Sequence, residues 1–320
     1  MKNLVLFLIV LIAGSADVGA GERYLDGITD SVIIETYTYA EKDGQQLDLD
    51  GYFPASDPEF SRPVFLYVHG GGFSGGTRNG GGIAEFCKKV AQRGYVTVSI
   101  SYRLTRKGTD TGFGCDCKAE DKLATFAAAV EDLYDATEFI VSRQEQFRID
   151  PDKIILAGSS AGAETVLNAV YDRPVKSDDQ IPVTYAGVIS MAGAIPDLAK
   201  VTAETAVPSM FFHGTCDNLV PYGIASHRYC KPDQPGYLVL YGGQAIAGKL
   251  NLLGKPYWLH TTCGGNHSLA GSPMTNYFDE IMEFSWRFVL NDARDQIHTI
   301  IPGGHQCDYP SFNYCSDTDL

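Results

Sequence analysis

The chain has 320 residues, with 25 basic and 39 acidic side chains and a formal net charge of −14 at pH 7. This length favours one large α/β domain over two small ones. The acidic balance argues against a nucleic-acid partner and against docking on anionic lipid, because both need a basic face. The hydrophobic fraction of 44% and the charged fraction of 20% are those of an ordinary globular protein.

The N-terminus has the pattern of a secretory signal peptide. Lys2 supplies the charged start, residues 4–12 form a short apolar run, and small residues follow. We expect cleavage after Ala20, with Ala16 as an alternative, so that residues 1–20 are removed. The apolar run is short for a membrane span. The prediction is therefore an exported chain without membrane insertion after signal removal, in which residues 21–320 form a single domain.

Cysteine usage favours disulfides, because an even number of cysteines follows the signal peptide. The eight cysteines are Cys87, Cys115, Cys117, Cys216, Cys230, Cys263, Cys307 and Cys315. Cys115 and Cys117 lack a second pair at zinc-ligand spacing, so we expect no metal there. Connectivity is open at this point, and a bond between Cys307 and Cys315 that closes a short C-terminal loop is one hypothesis.

Strand and helix patterns alternate along the chain after an antiparallel hairpin predicted at residues 32–39 and 46–53. Apolar runs typical of buried parallel strands occupy residues 64–69, 96–102, 154–157, 186–192, 210–213 and 257–261. Helical patterns occupy residues 83–93, 119–144, 161–171, 243–253 and 278–291. The alternation predicts an α/β fold with a mostly parallel central sheet and helices on both faces. Ligands in such sheets bind at the carboxyl ends of the strands.

Ser160 is the candidate nucleophile. It lies in G-S-S-A-G at residues 158–162, directly after a predicted strand and before a predicted helix. This strand–turn–helix context is the one that exposes a serine hydroxyl at the edge of a sheet. The alternative is an ordinary Gly-Ser turn, which the context disfavours.

A glycine loop, H-G-G-G-F at residues 69–73, follows the first parallel strand. Glycines let main-chain N–H groups approach a reacting carbonyl closely. We assign the amides of Gly71 and Gly72, with that of Ala161 after the nucleophile, to an oxyanion hole. His69 is interpreted as a residue that shapes this loop. We have no specific role for Gly75 and Gly76 at this point.

A serine nucleophile needs a base that is oriented by an acid. His267 is the candidate base, because it follows the last predicted strand in a loop that can fold over the sheet edge. Asp217 is the candidate acid, since it follows the strand at 210–213 and gives the chain order Ser, Asp, His. Asp197 and Asp233 remain alternative acids. Among the other histidines, His69 belongs to the glycine loop and His213 lies at a strand end. His227 and His260 have unremarkable surroundings in the sequence, and His298 and His305 lie in the C-terminal tail.

Four motifs together carry a family resemblance over residues 64–267. They are H-G-G-G at 69–72, S-Y-R-L at 101–104, G-S-S-A-G at 158–162 and H-G-T-C-D at 213–217. The chain resembles the esterase/lipase branch of the α/β-hydrolase superfamily that has an HGGG oxyanion loop, which includes hormone-sensitive-lipase-like enzymes and secreted carbohydrate esterases. The resemblance implies the α/β-hydrolase fold and a scaffold role for Arg103.

Two segments depart from the family pattern, at residues 105–117 and in the tail at 297–320, and the role of the tail is open.

Cys216 and Cys263 flank the candidate acid and base. If Asp217 and His267 meet, these cysteines come close together, and a disulfide between them is a further hypothesis.

The motifs predict two-step acyl transfer by a secreted serine esterase that needs no metal or organic cofactor. An acetyl or feruloyl ester of a polysaccharide, or a short-chain acyl ester, would suit such an enzyme. A serine peptidase of the same fold is the enzymatic alternative. A catalytically silent binding module is the alternative from another class.

Overall fold

A computed structural model describes residues 22–172 and 184–303, together with Cys307 and Cys315. The predicted signal peptide and His305 lie outside the described residues. None of the described helices is both long enough and apolar enough to cross a bilayer.

The chain enters the main sheet through an antiparallel hairpin of β1 (Val32–Lys42) and β2 (Gln45–Pro54). Asp43 and Gly44 connect the strands and both have positive φ, 52° and 71°. Two positive φ values in a two-residue connection match the twist of the flanking strands. The hairpin predicted from the sequence is confirmed.

The main sheet has nine strands in the order β1-β2-β4-β3-β5-β6-β8-β11-β12. The other members are β3 (Arg62–Val68), β4 (Val96–Ile100), β5 (Ile149–Ser159), β6 (Gly187–Met191), β8 (Ser209–Gly214), β11 (Tyr257–Thr262) and β12 (Gln296–Ile301). The hairpin joins through β2 antiparallel to β4, and every pair from β4 to β12 is parallel. The predicted mostly parallel sheet is therefore confirmed.

Helices cover both faces of this sheet. They are α1 (Ile83–Gln92), α2 (Ala119–Val141), α3 (Gln144–Phe147), α4 (Ala161–Tyr171), α5 (Gly243–Leu252), α6 (Pro273–Asn276) and α7 (Phe278–Phe284), which a π-helical segment, Ser285–Leu290, extends. Along β3, Val64 and Leu66 pack in one core with α2, α4 and α5, while Phe65 and Tyr67 pack in a second core with α1 and α7. Successive side chains of a strand point to opposite faces, and an apolar run is buried when both faces are covered.

Two features of the fold were missed in the sequence. The strand β12 pairs parallel to β11 at the sheet edge, where the sequence left the tail without a role. Its residues are exposed or only partly buried and mix polar with apolar side chains, so they lack the apolar run that marked the inner strands. A second sheet of very short strands, β7 (Ala194–Ile195), β9 (Ile224–Ser226) and β10 (Val239–Gly242), has the order β7-β10-β9.

Candidate active site

Ser160 sits at a sharp turn between β5 and α4. Its backbone has φ 52° and ψ −120°, a region that residues with a side chain rarely adopt. The Ser160 amide donates to the Met191 carbonyl at 2.8 Å. A Cβ on Gly158 would lie 2.4 Å from the Gly162 carbonyl oxygen, and one on Gly162 would lie 2.0 Å from the Val68 carbonyl oxygen. The two glycines are therefore required by close backbone packing around the strained serine.

The structure brings Ser160, His267 and Asp217 into one hydrogen-bonded chain. The Ser160 Oγ lies 2.7 Å from His267 Nε2, and His267 Nδ1 lies 2.7 Å from Asp217 Oδ2. A carboxylate can only accept, so Nδ1 carries the proton and Nε2 is free to accept from the serine hydroxyl. The arrangement is that of a nucleophile, a base and an orienting acid.

Asp217 is completely buried and is held from two sides. Its Oδ1 accepts from the amides of Leu219 and Val220, each at 2.9 Å. His213 Nε2 approaches Oδ2 at 3.4 Å. Burial acts to raise the pKa of Asp217, but the hydrogen bonds from His213 and His267 outweigh it and hold that pKa well below its ordinary value.

The loops that carry the acid and the base are joined by hydrogen bonds from their backbone amides. The Cys216 amide donates to the Gly265 carbonyl at 2.8 Å, and the Gly264 amide donates to Thr215 Oγ1 at 2.9 Å. A Cβ on Gly214 would lie 2.2 Å from the Gly265 carbonyl oxygen, so the loops could not approach this closely with a larger residue. This contact fixes the separation of Asp217 and His267.

The glycine loop after β3 lies beside the serine. Gly71 and Gly72 have φ of 120° and 60°, and both line the same cavity as Ser160. The Gly71 carbonyl accepts from the amides of Ser74 and Gly75 at 3.2 and 3.1 Å. Within the described residues the Gly71 and Gly72 amides donate to no backbone carbonyl. Ala161 begins α4, where the first amides of a helix have no partner inside the helix. Gly71 and Gly72 thus line the cavity of Ser160, and Ala161 directly follows that serine in the chain.

His69 packs beneath this loop rather than in the cavity. Its ring stacks on Tyr102 with 4.6 Å between ring centroids, and its Nδ1 lies 2.7 Å from the Gly70 carbonyl oxygen. A Cβ on Gly76 would lie 2.6 Å from His69 Nδ1. The expectation that His69 shapes the loop agrees with this packing, and Gly76 acquires the role that the sequence did not reveal.

The cavity at Ser160 has a volume of about 490 Å³. Apolar lining comes from Phe113, Leu219, Val220 and Ala270. An ionisable wall, formed by Glu164, His227 and Arg228, lies in the same cavity. This wall was not predicted from the sequence. Glu164 follows the nucleophile by one helical turn, and this spacing could have indicated that it lies near Ser160. The positions of His227 and Arg228 depend on the tertiary fold and have no such local signal.

The interpretation that His227 has unremarkable surroundings is wrong. It is 1% exposed, and its ring packs edge-on against Phe113 at 5.0 Å between centroids. His260 also lies in an aromatic environment, since it stacks on Phe212 and Trp258. A planar aromatic ring of a neutral histidine fills a core as other aromatic rings do.

The remaining alternatives lie away from Ser160. Asp197 is exposed and caps a short 3₁₀ helix by accepting from the Ala199 amide, and Asp233 is exposed. His298 hydrogen-bonds Thr261 on the neighbouring strand. Arg103 binds the fully buried Asp132 of α2, as expected of a scaffold residue.

Both disulfide hypotheses are wrong. Cys216 pairs with Cys307, Cys263 pairs with Cys315, and Cys115 pairs with Cys230. The acid and base loops are each disulfide-bonded to the tail instead of to one another, and they contact each other directly through hydrogen bonds. Cys87 and Cys117 are buried free thiols. Among the described residues no cluster of metal-ligating side chains is present.

Part of the chain is similar to known esterases. The BD-FAE family model matches residues 49–190, a range that includes the glycine loop and the serine turn. Over this matched segment the chain is similar to the esterase/lipase branch of the α/β-hydrolase superfamily. Esterase 2 of the Planctomycetes species Thermogutta terrifontis, in a propionate-bound structure, superposes with a TM-score of 0.58 at 20% identity over 81% of this chain and 94% of that chain. This similarity agrees with the α/β-hydrolase fold described above.

Curated relatives match over shorter segments. Gut esterase 1 of Caenorhabditis elegans is 34% identical over 104 residues, which cover 32% of this chain and 17% of that protein. The probable isoprenylcysteine alpha-carbonyl methylesterase ICME of Oryza sativa is 27% identical over 176 residues, which cover 55% of this chain and 36% of that protein. The match therefore spans well under half the length of either relative.

Proposed function

We propose that this α/β-hydrolase cleaves carboxylic esters by two-step acyl transfer, with Ser160 as nucleophile, His267 as base and Asp217 as acid. The observation that carries the proposal is the unbroken hydrogen-bonded chain from the Ser160 hydroxyl to the buried Asp217 carboxylate. The relatives named as esterases support the same reaction class.

The proposed reaction begins when His267 Nε2 takes the Ser160 proton as the hydroxyl oxygen attacks the ester carbonyl. Negative charge on the carbonyl oxygen is stabilised by the amides of Gly71, Gly72 and Ala161, at about 3 kcal/mol per donor. The protonated His267, steadied by Asp217, then gives the proton to the leaving alcohol. In the second step His267 takes a proton from water, and the water oxygen attacks the acyl carbonyl. His267 then returns the proton to the Ser160 oxygen as the carboxylic acid is released.

The substrate class that we propose is a small ester, with a short acyl chain or an acetyl or feruloyl group on a polysaccharide. A cavity of about 490 Å³ lies in the lower half of the usual range for small-molecule sites. The Thermogutta terrifontis esterase has structures with propionate and butyrate bound, which supports short acyl chains. We also propose that the protein is exported, on the strength of the N-terminal sequence pattern.

The test is hydrolysis of p-nitrophenyl acetate, butyrate and octanoate and of methyl ferulate by the purified protein and by Ser160→Ala. Loss of the serine oxygen should lower kcat by about a million-fold, to background. The ester on which the parent is fastest then identifies the acyl preference. Full activity in Ser160→Ala would exclude the assigned nucleophile.

A serine-reactive fluorophosphonate probe separates the esterase from a silent binding module. We expect the probe to label the parent protein and not Ser160→Ala, because labelling needs an activated hydroxyl. Absence of labelling, together with inert esters, would favour the binding module. Cleavage of peptide substrates in preference to esters would favour the peptidase.

A further inference from the structure

The ionisable wall of the cavity is not used by the proposed acyl transfer. Glu164, His227 and Arg228 line the cavity together with Ser160. Glu164 and His227 are each 1% exposed. Glu164 Oε1, His227 Nδ1 and Arg228 Nε are buried and have no hydrogen-bond partner in the described part of the chain. Buried polar atoms without partners are costly, and in a binding cavity they indicate a ligand that supplies the missing partners.

Arg228 is held in place by the fold rather than by a counter-ion. Its backbone has φ 57°, a left-handed conformation that is uncommon outside glycine. The Arg228 amide donates to the Leu219 carbonyl at 3.0 Å, and the next turn is anchored by the disulfide of Cys230 with Cys115. Within the described residues the guanidinium forms no ion pair with an acidic side chain. Strained backbone that positions an unpaired cation in a cavity is typical of a binding site.

The charges around the wall favour an anion. Burial raises the pKa of Glu164 to about 8, although Arg228 and Lys122 oppose this shift, so the carboxyl is mostly neutral at pH 7 and can donate a hydrogen bond. Burial also holds the pKa of His227 well below its ordinary value, which keeps that ring neutral. Lys122 lies behind the wall and donates to the Gly236 carbonyl at 2.8 Å. Asp217 is a negative charge near the wall, but it accepts from His267 and is outnumbered by the cations Arg228 and Lys122.

We propose that Arg228, assisted by the Glu164 carboxyl and His227, binds a carboxylate carried by the substrate ester, so that the preferred substrates are acidic esters. This proposal rests on the proposed esterase function. An arginine fork matches a carboxylate with two parallel hydrogen bonds, and a neutral carboxyl and imidazole add further donors. The net charge of −14 does not cancel this attraction, because exposed charges are screened beyond about 8 Å at physiological salt.

The carboxylate could belong to the acyl or to the alcohol portion, and matched ester pairs distinguish the two. Monoethyl succinate against ethyl succinamate tests the acyl side, and carboxymethyl butyrate against carbamoylmethyl butyrate tests the alcohol side. Each pair differs mainly in charge, since an amide replaces the carboxylate. The measurement is kcat/KM at pH 7 by pH-stat titration.

We expect the parent protein to prefer the acidic member of one pair by about ten- to hundred-fold, the size of a charged hydrogen bond. Arg228→Gln should reduce this ratio to near one, whereas Arg228→Lys should retain much of it. If Arg228→Gln fails to fold, Arg228→Asn replaces it in the same measurement. Asparagine also removes the charge, and its side chain tolerates positive φ. Arg294→Gln is the matched control, because Arg294 is a largely exposed arginine, and it should leave both ratios unchanged.

A ratio near one for both pairs in the parent would overturn the proposal, as would an unchanged ratio in Arg228→Gln. If every ester is inert, the proposed function fails, and carboxylate recognition is then decided by calorimetry on Ser160→Ala. Binding of succinate but not of succinamide, lost when Arg228→Gln is added, would support the subsite. Equal binding or no binding of succinate would exclude it.

Discussion

At the scale of single residues, Asp217 shows burial and hydrogen bonding acting in opposite directions on one carboxyl group. Burial favours the neutral acid, but donors from His213 and His267 hold its pKa well below the ordinary 3.8. The Asp217 carboxylate is therefore charged at neutral pH. Because its folded-state pKa is depressed, it contributes stability above pH 4 or so, and this contribution is lost as pH falls toward the folded-state pKa.

Asp217→Asn should lower kcat about a thousand- to ten-thousand-fold, because an amide no longer fixes the tautomer or stabilises the imidazolium of His267. Steady-state kinetics on p-nitrophenyl butyrate measures the effect. Asp197→Asn is the control, since Asp197 is exposed and only caps a short helix. A large loss in Asp197→Asn with little loss in Asp217→Asn would reassign the acid.

Glu164 presents the reverse case, a carboxyl whose pKa is raised to about 8, mainly by burial. The unfolded chain loses this proton near pH 4.5, whereas the folded chain keeps it until about pH 8. Stability from this group is therefore full below pH 4.5 and declines as pH rises to 8.

Glu164→Gln keeps the shape and removes the ionisation. We expect the variant to gain stability relative to the parent between pH 5 and pH 8.5, by a few kcal/mol at the upper end. Urea unfolding at both pH values measures the difference. A difference in unfolding free energy that is the same at pH 5 and pH 8.5 would contradict a raised pKa.

At the scale of elements, the turn between β5 and α4 depends on backbone contacts that exclude a side chain. Gly162 lies in the first turn of α4, where a Cβ would lie 2.0 Å from the Val68 carbonyl oxygen of β3. The close packing of the helix on the strand thus determines where Ser160 is presented. An exposed glycine in the helix α5, Gly248, has nothing within 4 Å of an added Cβ.

These two glycines predict opposite effects of the same substitution. Gly162→Ala should destabilise the protein by about 3 kcal/mol or more, because backbone atoms must shift. Gly248→Ala should stabilise it by about 0.5–1 kcal/mol, because alanine is the better helix former. Chemical unfolding of both variants is the measurement. Equal effects of the two substitutions would show that the packing at Gly162 is looser than the structure indicates.

At the scale of the whole molecule, the tail cysteines cross-link the loops that carry the acid and the base. The bonds of Cys216 with Cys307 and of Cys263 with Cys315 join positions 91 and 52 residues apart. Cross-links over such distances restrict the unfolded chain, and each typically stabilises a protein by about 2–4 kcal/mol. The tail, for which no role was predicted, thereby contributes a strand and two cross-links.

The pairing predicts two free thiols in each chain, those of Cys87 and Cys117. Alkylation in denaturant without reductant should modify these two cysteines, and peptide mapping should recover the three linked pairs. Cys216→Ser combined with Cys307→Ser should lower the free energy of unfolding by about 2–4 kcal/mol. More than two alkylated cysteines, or a Cys216–Cys263 peptide, would contradict the pairing.

The features that could be predicted are those with a local signal in the sequence. Buried strands such as β3 carry unbroken apolar runs, and the turn around Ser160 needs small residues at fixed positions, so both can be read from neighbouring residues. The candidates Ser160, Asp217 and His267 followed from their positions after successive strands, and the structure brings them into hydrogen-bond contact.

The sequence by itself determined the α/β fold, the mostly parallel sheet and the candidate nucleophile, base and acid, because each depends on periodicity or on a short motif. Only the tertiary structure decided the disulfide partners, the edge strand β12 and the wall formed by Glu164, His227 and Arg228. Cysteine pairing and cavity lining depend on distances between residues far apart in the chain, and no local pattern records those distances. His227 and Arg228 line the cavity of Ser160 because they lie in a strained turn that is fixed by backbone hydrogen bonds and by the disulfide of Cys230.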